Sequence, residues 1–324
     1  MGNVQPLTND KTTVLYLGGA GRSGSTVIER LLASTGGCFC AGELRWIWDR
    51  GVRQNQLCSC GNPFRSCDFW IEVFDHAFGG IESADVNEME ELRLTLDRLR
   101  FIPALNNPRM RTHNLELRIA KCGEILSSLY QSIKHVSGSA YVIDSSKDAS
   151  YAFLLAANPQ IDLRLIHLVR DSRAVAFSWQ RRKIRPEITD RVQYMDQFPP
   201  RVAASNWTIA NIAVGHLQKK LDHSAFLRYE DFVKDPEILT RLLADLGLLE
   251  SSKIDDPTPE REILWHTVSG NPMRFRKGNI DIVADQQWRG KIDANTFNIV
   301  TGMTLPLLLR YKYALKPRPS SLVS

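Results

Sequence analysis

The chain has 324 residues, of which 43% are hydrophobic and 24% charged, a balance that excludes a disordered or fibrous protein and leaves ample material for a core. Its net charge of +5 points to an anionic ligand, but the excess is spread along the chain instead of forming a basic tail, so nucleic acid is not the expected partner. The length suits one large domain with insertions, taken as 1–324.

Residues 1–12 read as a polar tail with no apolar signal core, and no later segment approaches the roughly 18 apolar residues of a membrane span. A cytoplasmic protein without a membrane span is expected. Gly2 would suit myristoylation, but Pro6 stands where that pattern needs Ser or Thr.

The first regular element is "TTVLYLGG", a short apolar run ending in glycines, followed by "STVIERLLAS" with helical spacing at Val27, Ile28, Leu31 and Leu32. Strand, loop and helix therefore follow one another. The loop between them runs Gly19, four residues, Gly24, Ser25, Thr26: the spacing of a phosphate-binding loop, with Ser25 where nucleoside triphosphatases carry lysine. A glycine-rich turn at a helix start presents N–H groups and the positive helix end to an anion, and neither needs a lysine. Arg22 adds planar donors, and Ser23, Ser25 and Thr26 add hydroxyls. Such a loop suits a diester or a phosphosulfate better than a triphosphate with magnesium.

Next come the cysteines. Cys38 and Cys40 lie two apart, as do Cys58 and Cys60, and Cys67 closes the run. CxC followed by a gap of six is not a common zinc spacing. Ordinary packing is expected, with a thiol cluster or local disulfide and a zinc knot as open alternatives.

Residues 86–136 are helical by periodicity, with breaks at Pro103 and Pro108, and read as an insertion. "SAYVIDSSKDASYAFLLAA" gives a strand at 140–143, a turn and a helix. "DLRLIHLVRDSRAVAFSWQRRK" gives a strand at 163–169 and a helix from about 172. Its end carries Arg181, Arg182, Lys183 and Arg185, a solvated helix end or a ligand rim. Residues 184–200, with three prolines and little periodicity, suit a lid or acceptor loop. "SAFLRYEDFVKDPEILTRLLADLG" repeats the strand–helix pattern, with Pro236 at a helix start and Gly247 near its end. Alternating strands and helices predict an α/β fold with a parallel sheet flanked by helices.

Two further basic places could meet an anion. Arg170 falls at the carboxyl end of a strand, where open α/β sheets bind ligands, and Ser178 lies two turns into the next helix. "GNPMRFRKG" packs Arg274, Arg276, Lys277 and Gly278 into a turn that fits a phosphate clamp or a solvated loop.

Taken in order, "GRSGST", "VRDSRAVAFSW" and "RFRKG" followed by Trp288 resemble the sulfotransferases that use 3′-phosphoadenosine 5′-phosphosulfate (PAPS), and the cysteine run and "SGNPMRF" look like bacterial members. The resemblance covers residue 13 to about 290. It implies a P-loop NTPase-like fold, with Arg22, Ser23, Gly24, Ser25 and Thr26 on the phosphosulfate. It also implies Arg170 and Ser178 on the 3′-phosphate, closed over by Arg274, Arg276, Lys277 and Gly278. The implied reaction is direct in-line transfer of a sulfuryl group to a hydroxyl or amine of a small-molecule acceptor. The product is adenosine 3′,5′-bisphosphate (PAP), with no covalent intermediate and no metal required.

An attacking hydroxyl needs a base near the loop. Glu43, in "CAGELRWIWDRG", resembles the catalytic glutamate of the tyrosylprotein sulfotransferases and some bacterial enzymes. Lys147 resembles the lysine that meets the departing oxygen, where stabilising developing charge is often the largest catalytic effect. Cytosolic animal members use a histidine; His167 reads as a core residue, and His266 is the one rival base. Trp46, Trp48, Tyr194 and Phe198 hint at an apolar acceptor, though core packing suits the tryptophans. A P-loop nucleotide kinase and a non-catalytic polyanion-binding module are the competing readings.

Overall fold

The computed structural model describes residues 11–34, 36–249, 266–276, 282 and 285–316. Lys277 and Gly278 lie outside the described residues, as does most of the N-terminal tail. Among those described, β1 (Thr12–Gly19), β2 (Cys38–Gly42), β3 (Tyr141–Lys147), β4 (Ile161–Val169) and β5 (Ser224–Arg228) form a parallel sheet in the order β2-β3-β1-β4-β5. This is the expected α/β architecture.

The helices are α1 (Ser25–Ser34), α2 (Asp68–Phe78), α3 (Val86–Leu96), α4 (Ile102–Asn106), α5 (His113–Ser137), α6 (Ala149–Ala156), α7 (Ser172–Gln180), α8 (Pro200–Gln218), α9 (Tyr229–Lys234), α10 (Ile238–Asp245), α11 (Gln287–Lys291) and α12 (Ala294–Arg310). No helix among the described residues is long and apolar enough to cross a membrane.

The apolar strands make sense because the sheet is covered on both faces. Successive residues of β1 point to opposite sides. Val14 and Tyr16 join a core with α2, α5, α6 and α8, whereas Leu15 and Leu17 join another with α1, α9 and α10. Each fully buried leucine or phenylalanine there is worth about 1.5–3 kcal/mol.

The sequence-based strand at 140–143 continues to Lys147, through a polar stretch that would ordinarily end it. Asp144, Ser145 and Ser146 are all buried, and each is satisfied. Tyr130 Oη and the Ser146 backbone N–H and hydroxyl donate to the Asp144 carboxylate, and Ser145 Oγ donates to Glu29 at 2.9 Å. Asp148 then caps α6 by accepting from Ser150 N and Tyr151 N. Lys147 thus ends the strand, where the sequence pattern placed a turn.

Helices α2, α11 and α12 went unread in the sequence, as did two further elements: β2, five residues inside the cysteine run, and α8. The latter carried a usable signal, since its buried Ala203, Ala204, Trp207, Asn211, Val214 and Leu217 recur at helical spacing. Between 86 and 136 the breaks fall where the prolines put them, with Pro103 in the first turn of α4 and Pro108 opening a 3-10 turn. The segment is not only an added layer, however. Ile119, Cys122, Leu126, Leu129 and Tyr130 of α5 share one core with β1 and β3.

Candidate active site

A cavity of about 690 Å³ opens at the carboxyl ends of the strands, where β1 meets β3 and β4. Gly19 to Arg22 and Gly24 to Val27 line it, so the N-terminus of α1, whose first N–H groups have no partner within the helix, faces the cavity. Gly24 is fixed by geometry: its φ is +95°, and a Cβ there would stand 2.4 Å from the Tyr229 ring. Ser23 turns inward and donates to Ala20 O at 2.6 Å, bracing the loop without lining the cavity.

Arg22 holds a left-handed φ of 69°, a conformation costly for a side chain with a Cβ. Its guanidinium lies 4.7 Å from the Trp179 ring centroid and donates to Met195 Sδ at 3.2 Å. Its buried Nε makes no hydrogen bond among the described residues. Burial lowers its proton affinity, against the pull of Glu43 and Asp196.

Glu43 and Lys147 come from the ends of neighbouring strands and meet. Lys147 Nζ donates to Glu43 Oε1 at 2.6 Å and to Ser145 O at 2.5 Å. Lys147 also has a left-handed φ, 69°. The side chains are 14% and 15% exposed, so the pair is neither surface decoration nor sealed in the core. Burial pushes the Glu43 carboxyl up, but Lys147, Arg50 and Arg274 together pull harder and hold it below the ordinary carboxylate range. Ser269 Oγ, which accepts from Arg50 at 2.6 Å, lies 3.4 Å from Glu43 Oε2.

Behind this pair stands Glu29 of α1, which the sequence did not single out. Its carboxylate accepts from Gly42 N at 2.8 Å and from Ser145 Oγ at 2.9 Å, tying the ends of β2 and β3 to the helix that carries the loop. Burial pushes it up to about 7 against those two hydrogen bonds.

Arg170 follows β4 and is buried, as is Ser178, and both line the cavity. Arg170 packs over Tyr229 at 4.7 Å, donates to Arg22 O at 3.2 Å, and pairs with Asp285 at 3.2 Å. The neighbouring Asp171 is occupied by Arg173 at 2.7 Å. Arg170 is therefore held beside the loop by Asp285, whose own side chain is 34% exposed.

The basic cluster after α7 divides. Lys183 and Arg185 line the cavity, while Arg182 packs on Tyr194 at 3.6 Å. Burial, then Arg22 and Arg181, lowers the Lys183 ammonium. Arg45 and Arg50, from "CAGELRWIWDRG", also line the cavity and flank Trp46 at 4.7 and 4.3 Å. Crowded cations that depress one another form a field an anion would relieve. From 184–200, Arg185, Glu187, Met195, Asp196 and Phe198 reach the cavity. Trp46 lines it as well, whereas Trp48 is a core residue.

Arg274 is buried and does not line the cavity; its guanidinium donates to Thr267 O at 2.6 Å and Leu57 O at 2.9 Å. Arg276 is exposed. His167 is buried between Asn211 and Gln218, 3.1 Å from each. His266 also lies off the cavity, with Nδ1 3.1 Å from Cys67 Sγ.

A family model described as "Sulfotransferase family" matches residues 15–250. Among solved structures, the chain is similar to a sulfotransferase domain from the curacin biosynthetic pathway, with 16% identity, a TM-score of 0.50, and coverage of 94% of this chain and 99% of that one. At that identity the likeness speaks to fold. No curated protein matches.

Proposed function

The chain belongs to the sulfotransferase family, and from that premise we propose that it moves a sulfuryl group from PAPS to a hydroxyl or amine of a small-molecule acceptor. The observation that carries this reading is the Glu43–Lys147 pair, 2.6 Å apart, in one cavity with the glycine-rich loop, Arg170 and Ser178.

The loop and the N-terminus of α1 hold the phosphosulfate, with Arg22, Ser25 and Thr26 as side-chain donors. Arg170 and Ser178 read the 3′-phosphate, and Arg170 exchanges Asp285 for it. Lys183 sits in the same field. Arg276, Lys277 and Gly278 remain part of the reading as a clamp over that phosphate. Arg274 fits a different role, fixing the turn from beneath through its two carbonyl partners.

Transfer then needs one proton moved and one bond to sulfur exchanged for another. The acceptor oxygen or nitrogen forms a bond to sulfur and gives its proton to the Glu43 carboxylate. The bond from sulfur to the bridging oxygen breaks, and its electron pair stays on the phosphate of PAP. Lys147 leaves Glu43 as the donor enters and meets the charge growing on that oxygen. A base in Glu43's position is worth about 10²- to 10⁴-fold in rate.

Trp46, Leu99, Met195 and Phe198 give the cavity an apolar share, which supports an acceptor with an apolar body. The test supplies PAPS with a panel of phenols, alcohols, amines, sugars and peptides and follows PAP release. Acceptor-dependent release that vanishes in Glu43→Gln is expected. Absence of release with every acceptor, together with magnesium-dependent phosphoryl transfer from ATP, would replace the reading with a kinase.

A further inference from the structure

Away from the cavity, Cys58, Cys60, Cys67 and His266 bring their ligand atoms within 4.8 Å of one another. Three come from one loop and the fourth from about 200 residues later, so folding alone assembles the group. Cys60 Sγ lies 3.7 Å from Cys67 Sγ, and His266 Nδ1 lies 3.1 Å from Cys67 Sγ and 3.8 Å from Cys58 Sγ. Zinc bonds of about 2.3 Å to sulfur and about 2.0–2.1 Å to nitrogen give tetrahedral edges of about 3.8 Å and 3.6 Å. The three separations match those edges to within about half an ångström.

The surroundings hold the four groups in place. Cys58 N donates to Asn62 O at 2.8 Å and Gly61 N to Cys58 O at 2.9 Å, closing a tight turn in which Gly61 has φ +96°. Thr267 N donates to Ser59 Oγ at 2.8 Å, and the Phe69 ring stacks on His266 at 4.9 Å, setting the imidazole plane. Cys67 stands at the N-terminus of α2, where the helix end favours a thiolate. A disulfide would use two sulfurs at about 2.05 Å and leave the third and the imidazole unexplained.

We propose that Cys58, Cys60, Cys67 and His266 form a Cys₃His site for structural zinc. Zinc there takes no part in transfer. It clamps 266–276 onto the loop, and that segment supports the catalytic wall: Val268 N donates to Ala41 O at 2.9 Å, Glu43 N donates to Val268 O at 2.7 Å, and Ser269 lies between Arg50 and Glu43. The site thus positions Glu43 through two backbone hydrogen bonds. The Cys-x-Cys spacing missed it because the histidine that completes the set is distant in sequence.

The full chain, produced in zinc-supplemented medium and purified under reducing conditions, should carry one zinc per chain by elemental analysis. Cobalt in its place should give the charge-transfer and d–d absorption of a tetrahedral thiolate centre. Cys60→Ser, which changes the most exposed of the cysteines, should lose most of the metal or shift the cobalt bands while far-ultraviolet circular dichroism is kept. Protein that is folded and reduced, yet binds neither zinc nor cobalt at these thiols, would overturn the proposal, as would a Cys60–Cys67 disulfide in the native protein. Metal content is read without donor or acceptor, so its result is independent of whether sulfuryl transfer is found.

Discussion

Lys147 Nζ lies 2.6 Å from Glu43 Oε1, across the ends of two adjacent parallel strands. The contact joins the group expected to take the acceptor's proton to the one expected to meet the leaving oxygen. It also helps keep Glu43 ionised, because Lys147, with Arg50 and Arg274, together outweigh the effect of burial. In Lys147→Met that counterweight is gone and burial acts on Glu43 with less opposition. In the proposed mechanism ionised Glu43 is the active form, so activity should fall as pH drops through its pKa. The acid limb of kcat/KM should lie on the low side of the ordinary carboxylate range in the parent protein and move upward in the variant. An unmoved limb would separate Glu43 from the proton transfer.

Glu43→Gln keeps the shape of the site and removes the proposed base. A loss of about 10²- to 10⁴-fold in kcat is expected, with PAP affinity changed by less than about threefold. Single-turnover rates and calorimetric titration, measured on the same preparation, separate the two effects.

Asp285 pairs with Arg170 at 3.2 Å and, in the proposed donor site, would compete with the 3′-phosphate for it. Asp285→Asn should therefore tighten PAP by about 3- to 10-fold, and Arg170→Ala should weaken it by about tenfold or more. If both variants bind PAP like the parent protein, Arg170 does not read the 3′-phosphate.

Gly24→Ala meets two obstacles: a φ of +95° and a Cβ 2.4 Å from the Tyr229 ring. The change should destabilise the fold by about 1–3 kcal/mol and abolish PAP binding. Adding Tyr229→Ala removes the collision but not the strained φ, so thermal melting should recover only in part.

Glu29 gives a pH signature of stability. Its folded pKa, about 7, is above the ordinary 4.5, so the protonated form is the one the fold favours. That contribution is complete below pH 4.5 and is lost as pH rises through about 7, amounting to about 3 kcal/mol at most. Glu29→Gln can still accept from Gly42 N, and its melting temperature should lack this fall between pH 5 and 8. A parent protein whose stability is flat over that range would contradict the assignment.

Much of the site was readable because its parts are local. Loop, helix start, strand-end arginine and Ser178 each sit at a fixed offset from an apolar run, and the structure lines the cavity with Arg22, Gly24, Ser25, Thr26, Glu43, Lys147, Arg170 and Ser178. What escaped depends on distant pairings. Asp285 reaches Arg170 from 115 residues away and Glu29 reaches Ser145 from 116, and no periodicity encodes either. Strand β3 ran further than its apolar stretch because buried partners satisfy Asp144 and Ser145. Arg274 looked like a ligand clamp in the sequence, but the structure commits its guanidinium to two backbone carbonyls.

The most direct test of the central claim is a calorimetric titration of the protein with PAP and, separately, with ATP and magnesium. A loop without the lysine, paired with an arginine for the 3′-phosphate, should bind PAP with a Kd at least about a hundredfold lower than that of ATP, a gap of about 2.7 kcal/mol. The preference should collapse in Arg170→Ala. Equal or tighter binding of magnesium ATP, unaffected by that substitution, would contradict it.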